Sequence, residues 1–285
     1  MQATVTYLHP DTLLYIYYIE GIVPAHHTVK SADFIGNWVE DDFSFLFFTA
    51  PAKETVIEIL HSYPDLNLID DYEMTYSEWQ GGNVEPIRIG RFLLNPTWIK
   101  ASPGENDVAI TIDAGVVFGN GTHATTQACL EAIDIACSGH MVKTMLDLGT
   151  GTGVLALAAA KLGCEKIIAV DYNYLATRTA HGNVILNNLE EHVVVVNGRA
   201  EEHTAVATDL LVANIHYEVM KDLVRTDGFL KQKWFILSGL LNSETEKIIG
   251  YLKKRPVLIL KRWNQDDIWN TILGITQTNI EEKTG

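Results

Sequence analysis

Asp147-Leu148-Gly149-Thr150-Gly151-Thr152-Gly153 lies between the apolar run Thr144–Leu148 and the alanine-rich segment Leu155–Leu162, and Asp171 closes the next apolar run. Glycine reaches left-handed dihedrals at little steric cost, so such a turn lets backbone amides come close to a ligand. An acidic residue about twenty positions on, at the end of a second strand, can accept hydrogen bonds from ribose hydroxyls. Strand, glycine turn, helix, strand and carboxylate in that order read as a nucleoside-cofactor site.

The spacing separates cofactor classes. A dinucleotide fingerprint, G-x-G-x-x-G, needs a third glycine where Val154 stands. No Gly-Lys-Ser/Thr follows to hold phosphates, so the turn is not a Walker loop. The observed G-x-G-x-G resembles the first motif of the class I S-adenosylmethionine (SAM) methyltransferases. That resemblance implies a cofactor without phosphates, its amino-acid end passing Gly149, Gly151 and Gly153 and its ribose held by Asp171.

Outward from the turn, apolar runs alternate with helical segments. Strands are expected at Thr144–Leu148, Ile167–Val170, Val193–Asn197, Leu210–Ala213 and Trp234–Ser238. Helices are expected at Leu155–Leu162, Leu175–Asn187, Tyr217–Arg225 and Ser243–Leu252, with Gly163 as a helix stop. This rhythm means βαβ units and a parallel sheet. Val257–Leu260 and Ile268–Ile275 have no helix between them and read as a closing antiparallel hairpin. The expected fold is α/β, a doubly wound, Rossmann-like, seven-stranded, mostly parallel sheet with a smaller N-terminal α+β domain. In that domain Leu13–Ile19 and Ser44–Thr49 read as strands and Lys53–Ser62 as a helix. Turn chemistry at Gly81-Gly82-Asn83, Asn95-Pro96 and Ser102-Pro103-Gly104 marks a linker with short strands. The expected domains are residues 1–72, a linker over 73–105, and 106–285.

The chain of 285 residues carries a formal charge of −15, with 47% apolar and 20% charged residues, as a globular protein does. Residues 1–100 hold five basic side chains against fourteen acidic ones. That excess argues against direct nucleic-acid binding and suits a basic protein partner, although charge kept for solubility has the same composition. Cys129, Cys137 and Cys164 form no C-x-x-C pair, so no metal cluster or disulfide framework is expected. Leu13–Ile19 lacks a basic flank and sits between Asp11 and Glu20, so it is not read as a signal peptide. No apolar stretch approaches the roughly 18–20 residues that span a bilayer. A cytoplasmic location is expected.

Four features fall at strand ends, where open α/β sheets bind ligands. They are Gly149–Gly153, Asp171, Asn197-Gly198-Arg199 and Asn214. The third reads either as a neighbour of an adenine ring or as an ordinary Asn-Gly turn. Methyl transfer is an in-line displacement whose main need is a positioned, uncharged nucleophile. The side-chain carbonyl of Asn214 can orient an amine without adding charge, and His216 beside it reads as an exposed loop residue. Upstream, Asp113 to Thr126 concentrates Gly115, Gly119 and Gly121 with Thr122, His123, Thr125 and Thr126. It reads equally as a wall over the cofactor and as a helix cap after a glycine loop.

That loop is similar to the F-G-T-G-T-H-P-T-T signature of the bacterial ribosomal-protein L-eleven lysine methyltransferases, the PrmA type. Ala213-Asn214-Ile215, Leu237-Ser238-Gly239-Leu240-Leu241 and the stretch from Ser77 to Trp98 agree with the same family, over roughly residues 75–275. The resemblance implies transfer to amino groups of a protein, lysine side chains or the N-terminus of a ribosomal protein. By matching position it implies SAM contacts at Thr126, Gly149, Asp171 and Asn214; Phe118, Thr122 and His123 are expected on the covering loop, with Asn214 orienting the amine. Asn120 and Ala124 stand where the family has threonine and proline, and Asp113-Ala114-Gly115 replaces its Asp-Pro-Gly. Residues 1–70 resemble the family's substrate-recognition domain in kind only. The alternatives are the same core acting on a small molecule or RNA, and a SAM-binding protein without catalysis.

Overall fold

The computed structural model describes residues 7–24, 27, 29–82, 85–99, 101–139 and 142–277; Asn83 of the expected glycine turn lies outside them. The chain divides into two compact units, one of residues 1–84 with Gly115–Val117, the other of Glu85–Ala114 with residues 118–285.

The first unit contains β1 (Leu13–Glu20), β2 (Phe34–Glu40), β3 (Phe43–Phe48), α1 (Lys53–Ser62), β4 (Asn67–Thr75) and the short α2 (Tyr76–Trp79). Its sheet runs β2-β3-β1-β4 with every neighbour antiparallel. Tyr17, Ile19, Leu46 and Phe48 form one face and pack with Val56 and Ile59 of α1. The period of two in β1 thus buries one face against a helix. Strands β2 and β4 were not foreseen. Gly36 and Asn37 are poor strand residues, and the β2–β3 register slips between Phe34 and Gly36. In β4, Asn67 to Glu73 are all exposed, so no alternation of polarity marks the strand; pairing with β1 makes it one.

The second unit opens with β5 (Ile87–Ile89), β6 (Phe92–Pro96), β7 (Val108–Ile112) and α3 (Ala124–Cys137). Then follow β8 (Thr144–Leu148), α4 (Val154–Lys161), β9 (Lys166–Asp171), α5 (Tyr174–Leu186), β10 (Val193–Asn197) and α6 (Ala200–His203). The chain continues through β11 (Leu210–Asn214), α7 (Tyr217–Leu223), β12 (Trp234–Leu241), α8 (Asn242–Leu252), β13 (Val257–Gln265) and β14 (Trp269–Thr276). The seven-stranded sheet has the order β10-β9-β8-β11-β12-β14-β13, parallel except for β14, which is antiparallel to both its neighbours. Strands β5, β6 and β7 form a separate three-stranded sheet.

Both faces of the large sheet are buried. Met145, Ile167, Leu210, Val212 and Ile236 join α3 and α4 on one side. Leu146, Leu148, Leu211, Ala213 and Leu237 join α7 and α8 on the other. Alternate residues of one strand therefore serve two cores, which is why these strands read as continuous apolar runs. Helix α4 is alanine-rich, with strong helix propensity, and all but its last residue are buried. It ends at Leu162, followed by Gly163 at φ +96°. Among the described residues no helix is long and apolar enough to cross a membrane.

Candidate functional site

Strand order reverses between β8 and β11, because β9 and β10 extend one way from β8 while β12 extends the other way from β11. The crevice beyond such a switch point is where doubly wound sheets take ligands. The glycine turn leaves β8 there, and Asn214 ends β11 there. The two are in contact: a Cβ on Gly149 would stand 2.3 Å from Cγ2 of Ile215. Gly151, at φ +56°, would put a Cβ 2.6 Å from the carbonyl oxygen of Phe118. Left-handed backbone and close approach coincide at both positions.

The turn is fastened to the next strand. The Gly149 and Thr150 amides donate to the Val170 carbonyl at 2.8 and 3.0 Å. Asp171 Oδ2 accepts from the Gly151 amide at 3.0 Å, and Oδ1 from the Asn173 amide at 2.9 Å. Burial pushes the Asp171 carboxyl up, while the amides of Asn173, Gly151 and Tyr172 pull it down. Asn197 donates to the carbonyls of Asp171 and Tyr172, both at 3.0 Å, so its amide braces the backbone at Asp171.

Thr152 ties the turn to the glycine loop. Its amide donates to the Phe118 carbonyl at 3.1 Å and its hydroxyl to the Gly119 carbonyl at 2.8 Å. The loop then enters α3, capped by His123, whose side chain accepts from the Thr125 amide. Thr122, which could also have begun this helix, gives its hydroxyl and amide to Asn120 Oδ1 at 2.6 and 2.9 Å and is exposed. The His123 ring lies edge-on to Phe118 and Trp269, each centroid 5.2 Å away.

His123 Nδ1 is 2.7 Å from Thr125 Oγ1, and Asn214 Nδ2 is 3.3 Å from the same oxygen. An amide nitrogen only donates, so the Thr125 hydroxyl is free to give its proton to the imidazole. That direction requires a neutral His123 accepting at Nδ1. Burial lowers the His123 pKa, which favours the neutral ring. The chain of bonds also orients Asn214, with Nδ2 on Thr125 and Oδ1 on the other side of the amide. The structure thus brings together Gly149, Gly151, Gly153, Asp171, Phe118, His123 and Asn214 around the turn and loop. Thr126 is buried in the first turn of α3, and Thr122 is exposed just before it. His216 is exposed.

Asn173 was not singled out from the sequence. It caps α5 by accepting from the Leu175 amide at 2.9 Å, and its Nδ2 is buried without a hydrogen-bond partner among the described residues. An Asx residue directly before an apolar helix, two positions after the strand-ending acid, is the signal that could have found it. Among the described residues no group of three His, Cys, Asp or Glu side chains could hold a metal.

Asp147 is fully buried, and Oδ2 accepts the Thr150 hydroxyl at 2.6 Å. Burial raises its carboxyl to about 7, opposed by the Thr150 hydroxyl and reinforced by the Asp171 charge. An acid with a raised folded pKa stabilises the fold at low pH, and this contribution is lost as pH rises from about 4 through about 7. Asp147→Asn removes the titration and keeps an acceptor for Thr150. It is expected to raise the unfolding temperature at about pH 8, by up to about 4 kcal/mol of stability, and to change little at about pH 4. Calorimetry across that range checks it, and a pH-independent difference would refute burial as the cause.

A family model described as ribosomal protein L11 methyltransferase (PrmA) matches residues 44–277. The chain belongs to this family. A relative of that name from Desulfitobacterium hafniense is 31% identical over 265 residues, 82% of each chain. One from Listeria monocytogenes serotype 4b is 36% identical over 73% of this chain and 66% of its own length. One from Carboxydothermus hydrogenoformans is 36% identical over 63% of this chain and 59% of its own. The chain therefore spans under two thirds of the length of these last two relatives. The crystal structure of ribosomal protein L11 methylase from Lactobacillus delbrueckii subsp. bulgaricus superposes with a TM-score of 0.59 at 26% identity. It covers 67% of this chain and 97% of that one. As a member of the L11 methyltransferase family, the chain has the class I methyltransferase sheet and the glycine turn at its switch point.

Proposed function

We propose that the chain is a SAM-dependent N-methyltransferase acting on lysine side chains or the N-terminus of a ribosomal protein, L11 by family. The observation that carries this reading is the meeting of the glycine turn, the Asp171 carboxylate and the Asn214 amide at one switch point in a member of this family. The residues present fit the cofactor. Gly149 and Gly151 leave a cradle that a Cβ would fill. Thr126 Oγ1 and Asn173 Nδ2 are buried polar atoms with no partner among the described residues, available to a ligand.

When bound, SAM would supply an electrophilic methyl group. Gly149, Gly151, Gly153 and Thr126 would line it, and Asp171 would hold its ribose. The Phe118–Thr126 loop would exclude water from it. Asn214 Oδ1, turned from Thr125, would accept an N–H of the incoming amine and point the nitrogen lone pair at the reacting centre. Free lysine has a pKa near 10.4, so the site must favour the neutral amine by desolvation. A neutral His123 and an uncharged Asn214 add no charge that would hold the ammonium form.

The 1–84 unit is proposed to recognise the acceptor. Its strand β4 exposes Asp70, Asp71 and Glu73 along a sheet edge, which suits a basic protein and repels a phosphate backbone. A cytoplasmic location follows from a ribosomal substrate.

Intact-mass measurement of purified ribosomal protein L11 incubated with this chain and SAM tests the reading. The expected result is a mass gain in steps of one methyl. Asn214→Ala is expected to lower kcat about a hundredfold through misplacement of the amine. SAM binding with no gain on L11, and label from radioactive SAM appearing in another fraction of cell extract, would move the acceptor elsewhere. Binding without turnover on any fraction would leave a non-catalytic SAM-binding protein.

A further inference from the structure

Helix α5 and its C-cap carry two asparagines one turn apart, Asn183 and Asn187, both buried. They face the outer edge of β7, the last strand of the order β5-β6-β7. Asn187 Oδ1 accepts from the Thr111 amide at 3.0 Å, and its Nδ2 donates to the Thr111 carbonyl at 2.7 Å. Asn183 does the same for Asp113, at 2.8 Å in both directions. Four helical residues rise about 6.0 Å and two extended residues about 6.6 Å, so side chains at i and i+4 match edge groups at i and i+2. The two amides stand in for a neighbouring strand.

They differ in one respect. The second Nδ2 proton of Asn183 goes to the Thr152 carbonyl at 2.9 Å, while that of Asn187 goes back to the Asn183 carbonyl at 2.8 Å. One buried amide thus holds Asp113, where the glycine loop begins, and Thr152, in the glycine turn. Thr152 holds the returning loop at Phe118 and Gly119. Every one of these bonds lies within the second unit.

We propose that Asn183 is a positioning residue: it fixes the cofactor turn against the start of the glycine loop and thereby sets cofactor affinity, whereas Asn187 only secures β7. This rests on the proposed use of SAM. The full-length chain with Asn183→Ala or Asn187→Ala is compared by calorimetric titration with SAM, by unfolding temperature and by amide hydrogen exchange. Both variants leave buried backbone groups unpaired and are expected to lower the unfolding temperature. Asn183→Ala is expected to weaken SAM at least about tenfold and to speed exchange at Asp113 and Thr152. Asn187→Ala is expected to bind within about twofold of wild type and leave Thr152 protected.

Equal loss of affinity in both variants, or wild-type affinity in Asn183→Ala, overturns the proposal. Should the alanine variant not fold, the isosteric Asn183→Asp keeps an acceptor for the Asp113 amide but loses both donors. It is expected to show the same weakening, and wild-type affinity overturns the proposal. If the wild-type chain itself fails to bind SAM, the cofactor reading falls, and exchange decides the clamp. Faster exchange at Thr152 in Asn183→Ala alone supports it, and unchanged exchange overturns it.

Discussion

Asp171→Ala is expected to abolish SAM binding while leaving a folded chain. The carboxylate has two roles at once. It accepts the Gly151 and Asn173 amides, one on each oxygen, and so ties the third residue of the turn to the start of α5. It is also the acid at the strand end, proposed to hold the ribose. Hydrogen bonds to charged groups contribute about 1.5–3 kcal/mol each, and a buried donor left without a partner costs about 1–3 kcal/mol. Loss of the ribose contacts together with a loosened turn puts the affinity change beyond about a hundredfold, or about 3 kcal/mol. Stability is expected to fall by about 2–4 kcal/mol from the two orphaned amides. Calorimetric titration measures the first and thermal unfolding the second. Micromolar SAM binding retained by a folded Asp171→Ala chain would sink the cofactor assignment.

The second half of the chain was legible because its central strands β8, β11 and β12 are buried on both faces. Runs such as Leu210-Leu211-Val212-Ala213 have no polar alternation to confuse with a surface, and glycine or a polar residue marks where each ends. The closing hairpin was legible for want of a helix between two apolar runs. Strand β4 was not, because seven consecutive exposed residues carry no period. The parallel pairing of β7 with β6 is a long-range fact that no local pattern encodes.

The same division holds in the site. Gly149, Asp171 and Asn214 stand at strand ends, where topology delivers them to one crevice. The polar relay from His123 through Thr125 reaches Asn214, 89 positions on from Thr125, and that link appears only in three dimensions. Asn183 looked like an ordinary polar helix residue, although burial has made it a bracket between two backbones. On the loop, four polar side chains at a helix start were indistinguishable by type. Asn120, where the family has threonine, takes the Thr122 hydroxyl, and the cap falls to His123.

Substitutions at the three glycines of the turn are expected to differ, in an order set by what each new Cβ meets. All three have left-handed backbone, at φ +73°, +56° and +85°, so each alanine shares a strain of about 1 kcal/mol. At Gly153 the nearest atom is the Ala180 methyl at 3.2 Å, which a shift of a few tenths of an ångström relieves. At Gly149 it is Cγ2 of Ile215 at 2.3 Å, a side-chain methyl that can leave by a change of rotamer, at the expense of filling the crevice beside Asn214. At Gly151 the obstacle is backbone, the Phe118 carbonyl oxygen at 2.6 Å, and that oxygen already accepts the Thr152 amide. Gly151→Ala can be relieved only by moving the loop away from the turn and breaking that bond. The same residue gives its amide to Asp171, so the displacement reaches the carboxylate as well. SAM affinity is therefore expected to fall most in Gly151→Ala, by about a hundredfold or more, less in Gly149→Ala and least in Gly153→Ala. Unfolding temperatures should vary far less than the affinities, because the loop lies outside the two apolar cores. Calorimetric titration of the three variants reads the order, and a Gly151→Ala chain binding as tightly as Gly153→Ala would show that the loop does not abut the turn.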